Sequence, residues 1–200
     1  EKIIGMTPER FNRLTEVLNK RQNDITVILE NVFNPHNISA VMRTCDDVGI
    51  QELCVLNTMQ PPVKECGRRS STGTAGWLHI RQFDNTRKCI HTVKKKYGSI
   101  YTTCLSENSI PIYQMDFTQK MALVFGNEQF GISEQMQKHA DGNFVIPQVG
   151  VVPSLNISVA CAVTLYEAFR QKQAAGHYDQ CRLSAQEYNA LQVEWGMVEK

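Results

Sequence analysis

The feature that most constrains this chain is an alternation of short β-branched apolar runs with helix-length segments. Thr26-Val27-Ile28-Leu29-Glu30 has the composition of a buried strand. Pro35-His36-Asn37 is expected to break the chain, with a helix from Ile38 to Val48 stopped by Gly49. Glu52 to Leu56 is the next strand. Two strands joined through a helix pair in parallel, so this order points to an α/β fold with a mostly parallel sheet and flanking helices.

The same rhythm continues. Strands are expected at Trp77–Phe83, Ser99–Thr103, Met121–Phe125 and Gly142–Ile146. Helices are expected at Thr86–Tyr97, in a short piece from Ser133, and at Ile157–Lys172, the last one long and apolar. Both ends carry a helix outside the alternation. Thr7-Pro8-Glu9 gives an N-cap, a first-turn proline and an early acid, opening a helix to about Arg21. Ser184-Ala185-Gln186-Glu187 has capping-box spacing for a terminal helix containing Leu191 and Trp195. The expected division is a basic helix over 1–22, one α/β domain over 23–175 and a helical extension over 176–200.

Composition agrees with a single folded domain: 200 residues, 42% hydrophobic and 20% charged. Seven cysteines at irregular spacing, with no C-x-x-C, argue against a disulfide framework or a zinc site. Most should be small core hydrophobes in a reducing, cytoplasmic setting. The chain starts at Glu1, so a trimmed or processed start is expected. No run approaches the roughly 20 apolar residues of a membrane span.

A net charge of +1 names no partner by itself, so the question is where the cations gather. Arg10, Arg13 and Lys20 share one side of the first helix, as a solvated face or as a phosphate-contacting arm. Gly67 to Gly76 sets Arg68-Arg69 among serines and glycines, as a linker or an RNA-contacting loop; no G-K-[ST] closes it as a P-loop. Lys94-Lys95-Lys96 lie near a helix C-terminus, where the helix dipole accounts for them.

Three polar stretches each follow an expected strand, where ligands of parallel sheets gather. The first runs from Asn31 to Arg43 and sets Asn37 and Arg43 six residues apart; Arg43, among Val41, Met42 and Cys45, is expected to be partly buried and in need of an acceptor or a phosphate. The second, Phe125-Gly126-Asn127-Glu128 through Gly131, is a glycine-flanked turn with Glu128 at its tip, and it lacks the G-x-G-x-x-G of a dinucleotide site. The third runs from Ile146-Pro147 to Ser154-Leu155-Asn156-Ile157-Ser158, extended and apolar before it turns into a helix. Taken singly, each stretch is open between structure and function.

In order and spacing, these stretches resemble the three motifs of the SPOUT methyltransferases, in the SpoU subgroup of RNA ribose 2′-O-methyltransferases. The likeness covers about Thr26 to Arg170. Glu30-Asn31-Val32, Pro35-His36-Asn37, Tyr166-Glu167-Ala168 and the two end helices are most similar to the branch acting on guanosine 18 of tRNA. The resemblance implies a C-terminal trefoil knot, S-adenosylmethionine as methyl donor, no metal, a homodimer with the active site near the subunit interface, and tRNA as partner. It implies cofactor contacts at Thr103, Gly126, Ile146 and Leu155, and catalytic roles for Arg43, Asn37, Glu128, Ser154 and Asn156. Arg10, Arg13, His36, Arg68 and Arg170 are the RNA contacts it suggests. Another RNA, ribosomal or an anticodon loop, and a non-catalytic RNA-binding module are the alternatives.

Overall fold

The computed structural model describes residues 5–60, 73–104, 106, 108–152 and 154–198. Seven parallel strands form one sheet: β1 (Ile25–Glu30), β2 (Glu52–Leu56), β3 (His79–Phe83), β4 (Ser99–Thr103), β5 (Ile110–Pro111), β6 (Met121–Phe125) and β7 (Gly142–Val145). Their spatial order is β3-β2-β1-β6-β4-β7-β5. Among the described residues six α-helices accompany them: α1 (Pro8–Asn19), α2 (Pro35–Asp47), α3 (Thr86–Tyr97), α4 (Glu134–His139), α5 (Ile157–Ala174) and α6 (Ala185–Glu194).

Strand side chains alternate between two cores, as a period of two requires. Val27, Leu29, Leu53, Val55, Leu123 and Phe125 face α2 and α5. Ile28, Cys54, Leu56, Ile100, Ala122 and Val124 face α3 and α4. With both faces covered, β1, β2 and β6 are buried at every position, which is why these segments read as unbroken apolar runs. A third, smaller core joins the ends of the chain: Leu18 of α1 packs with Leu191, Trp195 and Met197, and Trp77 meets Trp195 edge-on at 5.3 Å.

Four expectations shift, and one strand is new. Pro35 does not break the chain before a helix at Ile38; α2 starts at Pro35, with the Asn34 side chain capping the His36 N–H. Proline suits that first position because its missing N–H has no partner there in any helix. Trp77 leaves the expected strand for the terminal core, and β3 begins at His79. β7 ends at Val145, which leaves Ile146 just beyond it. α1 stops at Asn19; Arg21 beyond it is buried, paired with Asp46 at 2.6 Å and set over the Trp195 ring. Two-residue β5, with its proline, had no expectation at all.

Cys45, Cys54, Cys89 and Cys161 are buried core residues, as expected, whereas Cys104 is half-buried and Cys181 is exposed. Burial pushes the thiols of Cys45 and Cys89 up to about 12, which leaves them protonated and unreactive at neutral pH. Arg68, Cys66 and the loop from Gly67 to Thr72 lie outside the described residues. Among the described residues no helix is long and apolar enough to cross a membrane.

Candidate active site

The carboxyl ends of β6, β4 and β7 open into a cleft of about 670 Å³. The size suits a nucleoside-bearing ligand. Thr103, Gly126, Ile146 and Leu155 all line it, and so do Glu128 and Ser154. The Phe125 and Phe144 rings, edge-on at 6.0 Å, line its base. Thr103 closes its own hydroxyl on the Val124 carbonyl at 3.0 Å, which pins the end of β4 to β6.

The turn after β6 is folded on itself. Asn127 and Gly131 exchange backbone hydrogen bonds at 3.0 and 2.8 Å, and the Asn127 side-chain oxygen accepts from the N–H groups of Gln129 and Phe130. A Cβ on Gly126 would lie inside contact distance of the Gly131 carbonyl, and Gly131 itself has φ +66°. Both glycines are therefore demanded by the turn itself, as well as by any ligand that approaches it. Two ties fix this turn to β1. Glu30, a fully buried carboxylate, accepts from the Ser133 N–H at 3.0 Å and its hydroxyl at 2.6 Å. The Asn31 carbonyl accepts from the Asn127 amide at 2.7 Å. Asn31 has φ +54°, and its side chain also holds Thr58 and Met59 beyond β2.

At the mouth of the cleft the three polar stretches meet. Asn37 on α2 donates to Glu128 at 2.5 Å. Asn156 donates to the Asn37 carbonyl oxygen at 3.3 Å. The Asn156 oxygen caps α5 by accepting from the N–H and hydroxyl of Ser158 at 2.9 and 2.6 Å. Ser154 is an exposed residue of the cleft wall. Arg43 behaves differently. It is exposed rather than partly buried, and it belongs neither to the cleft lining nor to the Asn37 network. Six residues turn a helix through about 600°, which sets Arg43 some 120° around α2 from Asn37. The apolar neighbours Val41, Met42 and Cys45 point into the core, and Arg43 points out.

Arg10, Arg13, His36 and Arg170 are exposed. Arg13 pairs loosely with Glu16 at 3.5 Å, while Arg170 grips Glu167 with two hydrogen bonds of 2.9 and 2.7 Å. That grip holds the Glu167 carboxyl below its ordinary value. Sequence reasoning missed Asn127, Cys104 and Gln148 as parts of the site. Asn127 had a readable signal, an asparagine opening a five-residue turn that ends in glycine. Cys104 and Gln148 had none.

The SpoU rRNA Methylase family matches residues 24–166. The chain belongs to the SpoU methylase family. The tRNA (guanosine(18)-2′-O)-methyltransferase of Thermus thermophilus is 40% identical over 191 residues, covering 94% of this chain and 96% of that protein. Its namesake in Escherichia coli K12 is 36% identical, covering 86% of this chain and 75% of that protein. The crystal structure of the Aquifex aeolicus TrmH/SpoU tRNA modifying enzyme superposes with a TM-score of 0.85 at 37% identity, covering 94% and 95% of the two chains. AviRb of Streptomyces viridochromogenes, a SpoU methyltransferase solved in complex with AdoMet, has a TM-score of 0.69 at 26% identity, covering 80% and 62% of the two chains. The matched region ends at Tyr166 inside α5, so α1 and α6 lie outside it, while Trp77 joins the terminal core from within it.

Proposed function

We propose that this protein transfers a methyl group from S-adenosylmethionine to the ribose 2′-oxygen of guanosine 18 in tRNA. The observation that carries this reading is the meeting of Asn37, Glu128 and Asn156 at the mouth of a cleft whose wall includes Thr103, Gly126, Ile146 and Leu155. The relatives named for that reaction, similar along nearly the whole chain, supply the nucleotide.

The cleft fits the cofactor in kind: apolar Leu155, Ile157 and Ile146 for a purine, and a folded glycine turn for a polar tail. When bound, the cofactor supplies an electrophilic methyl on a sulfonium. A guanidinium stays protonated near neutral pH, so Arg43 is not a general base. Its role is to hold the 2′-hydroxyl in line and to stabilise charge developing on that oxygen, while a neighbouring substrate phosphate takes the proton. Asn37, Glu128 and Asn156 lock α2, the glycine turn and the start of α5 into one frame. Ser154 borders the ribose.

Arg43 lies outside the cleft of a single chain, which supports the homodimer that the resemblance implies: an active site near the subunit interface completes itself there. The apolar surface beside the cleft supports it too, with Val149, Val151 and Val152 exposed together with Val159 and Tyr166 of α5. The trefoil knot, the cytoplasmic setting and the division at 22 and 175 belong to the same proposal. Arg10, Arg13 and His36 are its RNA contacts, together with Arg68; Arg170 is a weaker one because Glu167 holds it. Mapping 2′-O-methyl groups after reaction with mixed tRNA and ribosomal RNA tests the reading. A single site at guanosine 18 supports it; a site in ribosomal RNA or an anticodon loop refutes the choice of nucleotide.

A further inference from the structure

α3 is the most basic element of a nearly neutral chain. Its sequence, TRKCIHTVKKKY, has five lysines and arginines, one histidine and no acid. The whole protein has a net charge of only +1. Two of these cations are used within the fold. Lys94 pairs with Asp141 at 2.9 Å, and Lys96 with buried Glu52 at 3.2 Å. Arg87, Lys88, His91 and Lys95 are exposed, and among the described residues none of them meets an acid.

Lys95 suits the dipole at a helix C-terminus. Arg87 and Lys88 do not have that explanation. Asn85 is the N-cap, so they occupy the second and third positions of the first turn, where the dipole disfavours cations. Asp84 just before the cap leaves them unpaired. Two unfavourably placed charges with no acidic partner among the described residues are what an external polyanion would select.

The ridge is also well placed. Lys88, His91 and Lys95 lie three and four residues apart, so they line one side of the helix over about 10 Å. The sheet register sets Phe83, which leads into α3, level with Leu56 and Glu30, one residue past the pair Leu29 and Phe125. β3 lies three strand positions from β6, about 14 Å away. Arg87 and Lys88 therefore stand at the same carboxyl end of the sheet as the Gly126 turn.

We infer that the outer face of α3, formed by Arg87, Lys88, His91 and Lys95, is a second phosphate-binding surface that grips the RNA backbone away from the reacting ribose. This rests on the proposed reading of the site as an RNA methyltransferase. It adds a contact that neither the three motifs nor α1 supplies. The contact is to phosphate and not to bases, so it strengthens binding without choosing a sequence.

The test is the triple variant R87Q/K88Q/K95Q, compared with the unaltered protein for binding to a tRNA transcript over a salt series. Each lost phosphate contact lowers the slope of log affinity against log salt by ~0.7–0.9, so the variant should lose about two units of slope. Affinity at low salt should fall by roughly tenfold or more. KM for tRNA should rise while kcat at saturating tRNA and the affinity for S-adenosylmethionine stay unchanged. Equal slopes and equal KM overturn the surface and leave the enzyme reading standing. Loss of binding to phosphatidylserine vesicles, with tRNA binding intact, overturns it in favour of a membrane. If the unaltered protein binds tRNA without methylating it, the enzyme reading fails, while a slope change still supports the surface.

Discussion

Arg43 and Asn37 share a helix but not a task. Arg43 points away from the core, whereas Asn37 spends its amide on Glu128 and its oxygen on Asn156. Arg43→Ala should therefore lower kcat by about 10²-fold or more, as losing one oxyanion donor does, with cofactor affinity unchanged in calorimetry. Asn37→Ala should act through geometry. It frees α2 from the glycine turn, and a displacement near 1 Å costs about 10²-fold in kcat/KM. Asn37→Asp should be no rescue, because a carboxylate in that place faces Glu128. Glu30 is the residue whose part lay hidden. It looked like the end of a strand, yet it is a buried acid that holds Ser133 at the start of α4. Glu30→Gln leaves the Ser133 contacts without a charged acceptor and should cost about 2 kcal/mol in denaturant unfolding.

Among the elements, the buried strands were the most legible. β1, β2 and β6 sit between two helical layers, so every position is apolar or tied by hydrogen bonds and the run itself marks the strand. β5 escaped because a two-residue strand containing proline carries no periodicity. The start of α2 is hard to read from sequence because proline breaks a helix interior, yet the first turn is where a helix accepts it. The exposure of Arg43 was unreadable for another reason: burial depends on which side of α2 the sheet covers, and neighbours in sequence do not tell that. The terminal core was equally hidden, since Leu18 and Trp195 are far apart along the chain. Arg21→Ala should expose the weight of that core. It removes a buried guanidinium that pairs with part-exposed Asp46 and lies over Trp195, and should destabilise by roughly 1–3 kcal/mol in denaturant unfolding.

At the scale of the whole molecule, a charged cluster at Asp24 fastens the C-terminal segment to the α/β body. Lys172 at the end of α5 donates to Asp24 before β1 at 2.7 Å, and His177 and Arg182 reach the same carboxylate at 3.7 and 3.5 Å. Burial, reinforced by Lys172 and Arg182, holds the His177 pKa below its ordinary 6.5, against the opposing pull of Asp24 and Asp116. A group with a depressed folded pKa gives stability that is present above its unfolded value. That stability is lost as pH falls through the folded one. The melting temperature should therefore drop as pH falls below about 6.5, and His177→Gln should flatten that drop. Equal pH profiles would remove His177 from the fastening.

In the proposed reaction a ribose 2′-oxygen at guanosine 18 accepts the methyl group. The most direct measurement compares two tRNA molecules, one unmodified and one carrying a single 2′-deoxyguanosine at position 18, each incubated with the protein and methyl-labelled S-adenosylmethionine. Label on the first and none on the second is the predicted result. Equal labelling of both, or none on either, would contradict it.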